Sequence, residues 1–280
     1  MARATTSPPQ TPLSAPPPPT ISSSPSPEQH QINDWISVQD ELKRRLVIED
    51  DFDWALPDEN GEDEGKEEVL RYVGGVDVSF SKEDSAVACG CIVVLDVEAV
   101  EVVYEDYCVT RLEVPYVAGF LAFREVPVPL GLLQKMKTDS NPFYPQLLMV
   151  DGNGLLHPRG FGLACHLGVL ADIPTIGVGK NLHHTEGLTR INVGELLQHD
   201  SCSELVDLIG SSGHTLGVAM RSTLSTLKPI FISVGHRISL PTAVKVVKLS
   251  CKYRVPEPIR QADIRSREYL RRHPFVSSDH

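Results

Sequence analysis

The chain contains 280 residues, with 26 Lys and Arg against 37 Asp and Glu, which gives a formal net charge of −11. A chain of this length can bury a substantial core, either in one large α/β domain or in two small ones. No run approaches about 18 uncharged apolar residues, so the sequence predicts no membrane-spanning helix and no membrane partner.

Most of the negative charge lies in one segment. Residues 28–68 hold 15 acidic and 4 basic side chains, a balance of −11, whereas residues 69–280 balance to −1. Residues 237–272 carry ten Lys or Arg against three acidic side chains, a local balance of +7. This basic segment fits a surface that follows a phosphate backbone and equally fits a solvated helix face. The overall acidity therefore does not exclude a nucleic-acid enzyme.

The cysteines indicate a reducing environment. They form no C-x-x-C pair, and no secretory signal follows Met1. We expect reduced thiols that serve as small core residues of an intracellular protein, in the nucleus (including the nucleolus) and/or the cytoplasm. Organelle targeting by the N-terminal residues stays open. The cysteines are Cys89, Cys91, Cys108, Cys165, Cys202 and Cys251.

The composition predicts two tails around a single domain. Residues 1–27 are dominated by Pro, Ser and Thr and cannot bury enough apolar surface to offset the entropy of ordering. We therefore expect a disordered tail over residues 1–33, one domain over 34–272 and a flexible tail over 273–280. An acidic stretch at 58–68 is predicted to be a loop within the domain.

The first half of the domain predicts a helix followed by three strands. Apolar residues at helical spacing follow Asp34, namely Trp35, Val38, Leu42 and Leu46, and indicate an amphipathic helix. Residues 71–80, 86–96 and 99–109 are β-branched runs with short connections, which favours an antiparallel meander. A helical pattern over 119–136 must then be interrupted or restarted by Pro127 and Pro129.

The second half alternates strands and helices. Residues 146–152 and 174–179 are predicted strands, and Leu163, Leu167 and Leu170 give the helix between them its apolar stripe. Helical patterns follow at 194–209 and 241–252. The resulting order, βββ-α-β-α-β-α, is the order of ribonuclease H-like folds. It predicts a mixed five-stranded sheet, three antiparallel strands followed by parallel ones, flanked by helices.

Three acidic residues occupy separate elements of this scheme. Asp77 lies within the first strand, Glu125 in the helix after the third strand, and Asp151 at the carboxyl end of the fourth, where open α/β sheets form their sites. Each acid alone fits a strand-end cap or a surface charge. As a set they predict a site for Mg²⁺, for which Mn²⁺ can substitute, because hard carboxylate oxygens suit these ions. Such a site favours hydrolysis of phosphodiesters.

Six segments in order resemble the endonuclease V family, over most of residues 34–270. The resemblance implies a ribonuclease H-like fold and Mg²⁺-dependent cleavage at the second phosphodiester 3′ to inosine or deoxyinosine. Its substrate would be single-stranded RNA and/or DNA, in RNA processing or DNA repair, with no obligate protein partner. The segments are GGVDVSF (74–80), VPYVAGFLAFRE (114–125), VDGNGLLHPRGFGLACHLGVL (150–170), GVGKNL (177–182), SVGHRISL (233–240) and RVPEPIRQAD (254–263).

The resemblance also assigns catalytic residues. Asp77, Glu125 and Asp151 match the family's metal-binding carboxylates, and Asp263 matches a fourth position that is Asp or His in the family. Lys180, after the fifth strand, matches a lysine that would reach the scissile phosphate and stabilise developing charge.

Further positions match substrate-binding residues of the family. Tyr116, with Pro115 and Gly119 beside it, corresponds to a wedge that fills the gap left by a displaced base. The turn Gly152, Asn153 and Gly154 is expected to approach the base through its backbone. His157 and Arg159 are expected to contact the substrate backbone.

Two other functions stay open at this stage. One is a protein that binds inosine-containing RNA without cutting it, which would not require the metal-binding acids. The other is a different ribonuclease H-like nuclease without inosine preference, against which the PYVAG and VDGNG segments argue.

Overall fold

The computed structural model describes residues 27–57, 68–199, 204–223, 226 and 228–273. Within them lie helices α1 (Pro27–Lys43), α2 (Leu121–Glu125), α3 (Pro127–Thr138), α4 (Leu163–Ala171), α5 (Arg190–His199), α6 (Leu240–Leu249) and α7 (Glu257–Arg272). The strands are β1 (Trp54–Ala55), β2 (Glu68–Val69), β3 (Tyr72–Phe80), β4 (Val87–Asp96), β5 (Glu101–Arg111), β6 (Leu147–Asp151), β7 (Thr175–Gly179), β8 (Leu205–Ile209), β9 (Thr215–Met220) and β10 (Ile230–His236). Within these residues, no helix is both long enough and apolar enough to span a bilayer.

The main sheet is mixed, as the sequence predicts, but it has eight strands rather than five. Its order is β5-β4-β3-β6-β7-β10-β9-β8. Strands β3, β4 and β5 form the predicted antiparallel meander, and β6 and β7 are parallel to β3 as predicted. Strands β10, β9 and β8 then extend the sheet with antiparallel pairing.

The three additional strands correct the prediction for the second half of the chain. The predicted helix over 194–209 is in fact α5, which ends at His199, followed by strand β8. Leucines at positions 196, 197, 205 and 208 mimic helical spacing, although pairing with β9 makes the second pair part of a strand. Strand β10 is buried along its whole length, and a continuous apolar run does not by its period distinguish strand from helix.

Smaller differences concern element boundaries. Helix α1 begins at Pro27, so residues 27–33 belong to it rather than to the predicted tail; proline suits the first helical position, and Glu28 lies in the first turn. Leu170 is 40 % exposed, so the predicted stripe of α4 is wrong there. The predicted restart at Pro127 is confirmed, because α3 begins at that residue. Residues 1–26, the acidic residues 58–67 and residues 274–280 lie outside the described residues.

The helices cover both faces of the main sheet. Helices α2, α3 and α4 pack on one face around Leu148 and Val150, while α6 and the start of α7 pack on the other around Leu147 and Met149. Helix α7 lies directly against β3, since a Cβ atom at Gly75 would come within 2.1 Å of the Pro258 backbone. This close approach brings α7 alongside Asp77, and no sequence pattern predicted it.

Candidate active site

Asp77 and Asp151 lie side by side on neighbouring parallel strands. Val76 of β3 pairs with Val150 of β6, so the two acids follow at the next position of each strand. Alternation along the strands turns both side chains toward the face that α7 covers. The sequence prediction that these two acids converge is consistent with this register.

Two serine hydroxyls surround one oxygen of Asp77. Ser79 Oγ donates to Asp77 Oδ2 at 3.0 Å, and Ser266 Oγ of α7 donates to the same atom at 3.1 Å. The two hydroxyl oxygens are 2.7 Å apart, and Ser266 is fully buried. These contacts fix the orientation of the carboxylate through a helix that is almost 190 residues away in sequence.

Lys180 joins the carboxylates of the sheet to the acid of α7. Its Nζ lies 2.5 Å from Asp151 Oδ2 and 3.6 Å from Asp263 Oδ2, and Asp263 also pairs with Arg267 at 2.6 Å. The side chains of Lys180, Asp151 and Asp263 keep 27 %, 19 % and 18 % exposure. The structure thus places four predicted catalytic residues, Asp77, Asp151, Lys180 and Asp263, around one opening.

Glu125 approaches the pair from the opposite side. It is the last residue of α2, is 9 % exposed, and lines a cavity of about 200 Å³ together with Asp77 and Asp151. A groove of about 900 Å³ opens on the other side of these two aspartates, lined also by Lys180, Asp263 and basic side chains of α7. Asp77 and Asp151 therefore separate a small acidic cavity from a larger open groove.

Burial and mutual repulsion raise the pKa of two of these acids. Loss of water, followed by the charge of Asp151, raises the pKa of Asp77 to about 7. Loss of water, followed by the charge of Asp77, raises the pKa of Glu125 to about 7. For Lys180, burial by itself lowers the pKa, but the charges of Asp151, Asp263 and Asp77 outweigh it and raise the net pKa.

The donor atoms suit a hard divalent cation. Oxygen donors from Asp77, Glu125 and Asp151 face one cavity, and crowded carboxylates with raised pKa values gain from a positive charge between them. Among the described residues, no three His, Cys, Asp or Glu side chains already stand in a metal-holding arrangement. Mg²⁺ does not require one, because it usually keeps several waters and takes one or two carboxylates plus substrate phosphate. The residues therefore fit Mg²⁺ by chemistry, and Lys180 supplies the positive charge in the present arrangement.

The predicted wedge residue is presented to solvent. Tyr116 is 66 % exposed, and Pro115 is exposed beside it in the loop between β5 and α2. About two thirds of this aromatic residue is therefore open to solvent. Gly119 ends the exposed stretch with a φ of +86°, a conformation that favours glycine.

The turn after Asp151 is more enclosed than the sequence suggests. A Cβ atom at Gly154 would come within 1.9 Å of the Val234 carbonyl oxygen, and the Gly154 N–H donates to Ser233 Oγ at 2.8 Å. Glycine at 154 is thus required by packing on β10. Asn153, which is 9 % exposed, has a buried Oδ1 without a hydrogen-bond partner in the described part of the chain, so it is the polar group here that lacks a partner.

His157 and Arg159 lie against the protein rather than at the carboxylates. Arg159 pairs with Asp40 at 3.1 Å, donates to Gln39 and lies 5.3 Å above the ring of Phe120. His157 Nδ1 accepts from the Arg159 N–H, and burial lowers the pKa of His157 to about 4. Their substrate contacts stay a prediction, whereas the contacts of Arg159 with α1 are part of the fold.

Sequence reasoning missed Ser79, Ser266 and Gln39. Ser79 lies two residues after Asp77, on the same face of its strand, and this spacing was an available signal. Ser266 lies one helical turn after Asp263, but only the docking of α7 on β3 brings it to Asp77. Gln39 lies in the leading helix, where the pattern Trp35-x-x-x-Gln39-x-x-Leu42 resembles the start of the family, but no contact was predicted for it.

Comparisons with known proteins agree with this architecture. The family model described as Endonuclease V matches residues 58–264. Endonuclease V of Mus musculus is 47 % identical over 88 % of this chain and 71 % of its own length, and that of Homo sapiens is 45 % identical over 88 % and 86 %. These identities extend across most of the chain.

Solved structures match the fold as well. The crystal structure of human ENDOV superposes with a TM-score of 0.77 at 44 % identity, covering 86 % of this chain and 98 % of that one. Ciona intestinalis Endonuclease V, crystallised with DNA containing an inosine followed by a ribo-adenosine, gives a TM-score of 0.78 at 35 % identity, covering 87 % and 98 %. The predicted ribonuclease H-like fold is thereby confirmed, and the chain belongs to the endonuclease V family of nucleases.

Proposed function

We propose that this protein is a Mg²⁺-dependent endonuclease that hydrolyses the second phosphodiester bond 3′ to inosine in single-stranded RNA and/or DNA. The observation that carries the proposal is the adjacent pair Asp77 and Asp151, with Lys180 Nζ 2.5 Å from Asp151 Oδ2. Two acids and a lysine around one groove suit a phosphodiester, because the acids hold cations and the lysine contacts phosphate.

In this proposal Asp77, Glu125 and Asp151 hold the metal ion. A bound divalent ion would supply positive charge to the phosphate oxygens and to the attacking and leaving groups. Ser79 and Ser266 both donate to Asp77 Oδ2 and so fix the orientation of a carboxylate that would hold the ion. Asp263 holds Lys180 from the far side at 3.6 Å and so aims the ammonium at the groove.

Lys180 acts on the phosphate as a positive charge. Its raised pKa keeps it protonated across the neutral range. An ammonium aimed at the scissile phosphate stabilises the charge that develops as the bond breaks. We assign it this electrostatic role rather than proton transfer, because a group that holds its proton firmly is a poor base at neutral pH.

Recognition of the base is proposed to lie in the turn after Asp151 and in the wedge loop, residues 112–120. Hypoxanthine presents an N1–H donor, and the unpartnered Asn153 Oδ1 is an acceptor that gains by pairing with it. The exposed ring of Tyr116 would occupy the space that the extruded base leaves, which offsets the unstacking cost of a few kcal/mol. The Ciona relative's complexes with inosine-containing DNA support inosine as the base that is recognised.

The test uses end-labelled single strands of RNA and of DNA, each with or without one inosine, incubated with the full chain in Mg²⁺ or in EDTA. We expect nicking of inosine-containing strands in Mg²⁺ only, and loss of that nicking in Asp77→Ala. The RNA and DNA arms decide the preferred strand. Equal nicking of inosine-free strands would refute the base preference, and undiminished nicking by Asp77→Ala would refute the site.

A further inference from the structure

Gln39 is a buried polar side chain remote in sequence from the carboxylates. It lies on α1, is 1 % exposed, and makes three side-chain hydrogen bonds. Its Nε2 donates to the Phe161 carbonyl at 3.0 Å and to the Gly119 carbonyl at 3.3 Å, while its Oε1 accepts from Arg159 Nε. Two carbonyl acceptors on one side and a guanidinium donor on the other fix the orientation of the amide.

The partners of Gln39 belong to two loops that the proposed function uses. Gly119 ends the wedge loop, which carries Tyr116. Arg159 and Phe161 belong to residues 152–162, the base loop, which follows Asp151 and carries Asn153. One side chain therefore bonds both loops at once, and it bonds their backbone carbonyls, whose positions follow the path of the chain directly.

Other contacts hold α1 against the same two loops. Lys43 Nζ donates to the Arg159 carbonyl at 3.0 Å, and Trp35 stacks on Phe123, just beyond the wedge loop, with 5.2 Å between ring centroids. Leu42 joins Phe161 in a small apolar cluster. These contacts fix the position of α1 relative to the two loops. The Gln39 amide, which is held by α1, therefore fixes the distance between its bonding partners in each loop.

A buried amide at this position indicates a need for hydrogen bonds, because an apolar side chain of similar size would fill the same space. A buried carbonyl left without a donor destabilises the fold, so the carbonyls of Gly119 and Phe161 are held where the Gln39 amide can donate to them. Removal of the amide breaks the bonds to Gly119 and Phe161, so that the two loops are no longer bonded to the same side chain.

We propose that Gln39 is a positioning residue that sets the separation between the wedge loop and the base loop, so that Tyr116 enters the strand where the base loop receives the extruded base. The inference rests on the proposed function, since it assigns to Gln39 the geometry on which inosine extrusion depends. It names a role for α1, which carries none of the carboxylates.

The test compares Gln39→Met, which keeps the length of the side chain but removes its hydrogen bonds, with Gln31→Met, the same change at an exposed position of α1. A single strand carries inosine next to 2-aminopurine, whose fluorescence rises when its neighbour leaves the stack. Binding in EDTA reports extrusion without cleavage, and initial rates in Mg²⁺ report kcat and KM.

We expect the wild type and Gln31→Met to give the same fluorescence rise, and Gln39→Met a clearly smaller one. The ratio of kcat/KM for inosine-containing over inosine-free strands should fall roughly tenfold in Gln39→Met. In a double-mutant cycle with Tyr116→Ala, the second change should add little to the first, because both act through the wedge loop.

Two results would overturn the inference. One is a wild-type fluorescence rise that Gln39→Met retains in full. The other is a loss of the kcat/KM ratio in Gln39→Met that adds fully to the loss in Tyr116→Ala and is accompanied by a lowered thermal midpoint of unfolding. That combination is expected if Gln39 has a merely structural role. Absence of any rise in the wild type would instead overturn base extrusion itself, and the proposal for Gln39 with it.

Discussion

Replacement of Asp77 by Asn removes a charge that the folded protein holds at a cost. Burial and the charge of Asp151 raise the pKa of Asp77 from its ordinary 3.8 to about 7. At 1.36 kcal/mol for each pKa unit, ionising this carboxyl in the fold costs about 4 kcal/mol. The asparagine oxygen can still accept from Ser79 and Ser266. We therefore expect Asp77→Asn to raise the free energy of unfolding of the metal-free protein by about 2–4 kcal/mol at pH 8.

The pH dependence of this gain in stability follows from the direction in which the fold shifts the pKa of Asp77. An acid whose pKa is higher in the folded than in the unfolded state contributes its full stability below pH 3.8 and loses it as the pH rises through about 7. The gain in Asp77→Asn should consequently shrink to less than half at pH 5. Urea unfolding in EDTA at both pH values measures it, with Asp207→Asn, at an exposed position of β8, as the control. Destabilisation at pH 8, or an equal gain at both pH values, would refute the reasoning.

Three further predictions concern residues around the carboxylates. Lys180→Met should lower kcat by a factor of about 10²–10³ in single-turnover assays. The control Lys248→Met, which removes an exposed ion pair with Glu204, should leave kcat unchanged. An unchanged kcat in Lys180→Met would exclude the electrostatic role of Lys180. Ser266→Ala should weaken Mn²⁺ binding roughly tenfold by electron paramagnetic resonance, since it removes a hydroxyl donor to a carboxylate. The control is Ser250→Ala, which removes another buried serine hydroxyl; equal Mn²⁺ affinity in both variants would contradict the prediction. Gly179→Ala would place a Cβ atom 2.6 Å from Asn153 Oδ1 and should therefore raise the KM for inosine-containing strands several-fold. The control is Gly194→Ala, where a Cβ atom would meet nothing within 4 Å. Equal KM values in the two variants would speak against a role for Asn153.

Local sequence patterns predicted the part of the site that lies on early, regular strands. The β-branched runs around Asp77 and the short apolar run before Asp151 have strand character whatever packs on them. The parallel pairing of β3 with β6 then follows, because β5 runs parallel to β3 and helices α2 and α3 connect β5 to β6. Asp77 and Asp151 could therefore be placed together before any coordinates.

The remaining features depend on contacts between distant parts of the chain. Ser266 reaches Asp77 only because Gly75 lets α7 lie on β3. The local sequence around Ser266 or around Asp77 does not predict their contact. Strands β8 and β10 acquire their identity from pairing across the sheet, since tertiary context overrides the weak local preference. The bonds of Gln39 span 80 and 122 residues, beyond the reach of any periodicity.

The arrangement of Arg159 shows the same limit from the other side. Its motif, His-Pro-Arg-Gly, predicts a basic side chain that contacts the substrate backbone, and that contact stays a prediction. Its guanidinium nevertheless lies among Asp40, Gln39 and Phe120, because α1 packs across the loop. A sequence assigns a charge to a loop, while the partner of that charge depends on which element covers it.

The central claim is most directly tested by mapping the cut on two labelled strands of the same sequence that differ only in where a single inosine stands. We expect one Mg²⁺-dependent product from each strand, ending one nucleotide 3′ of the inosine, so that moving the inosine moves the cut by the same number of nucleotides. A cut that stays in place when the inosine moves, or that persists in EDTA, would contradict it.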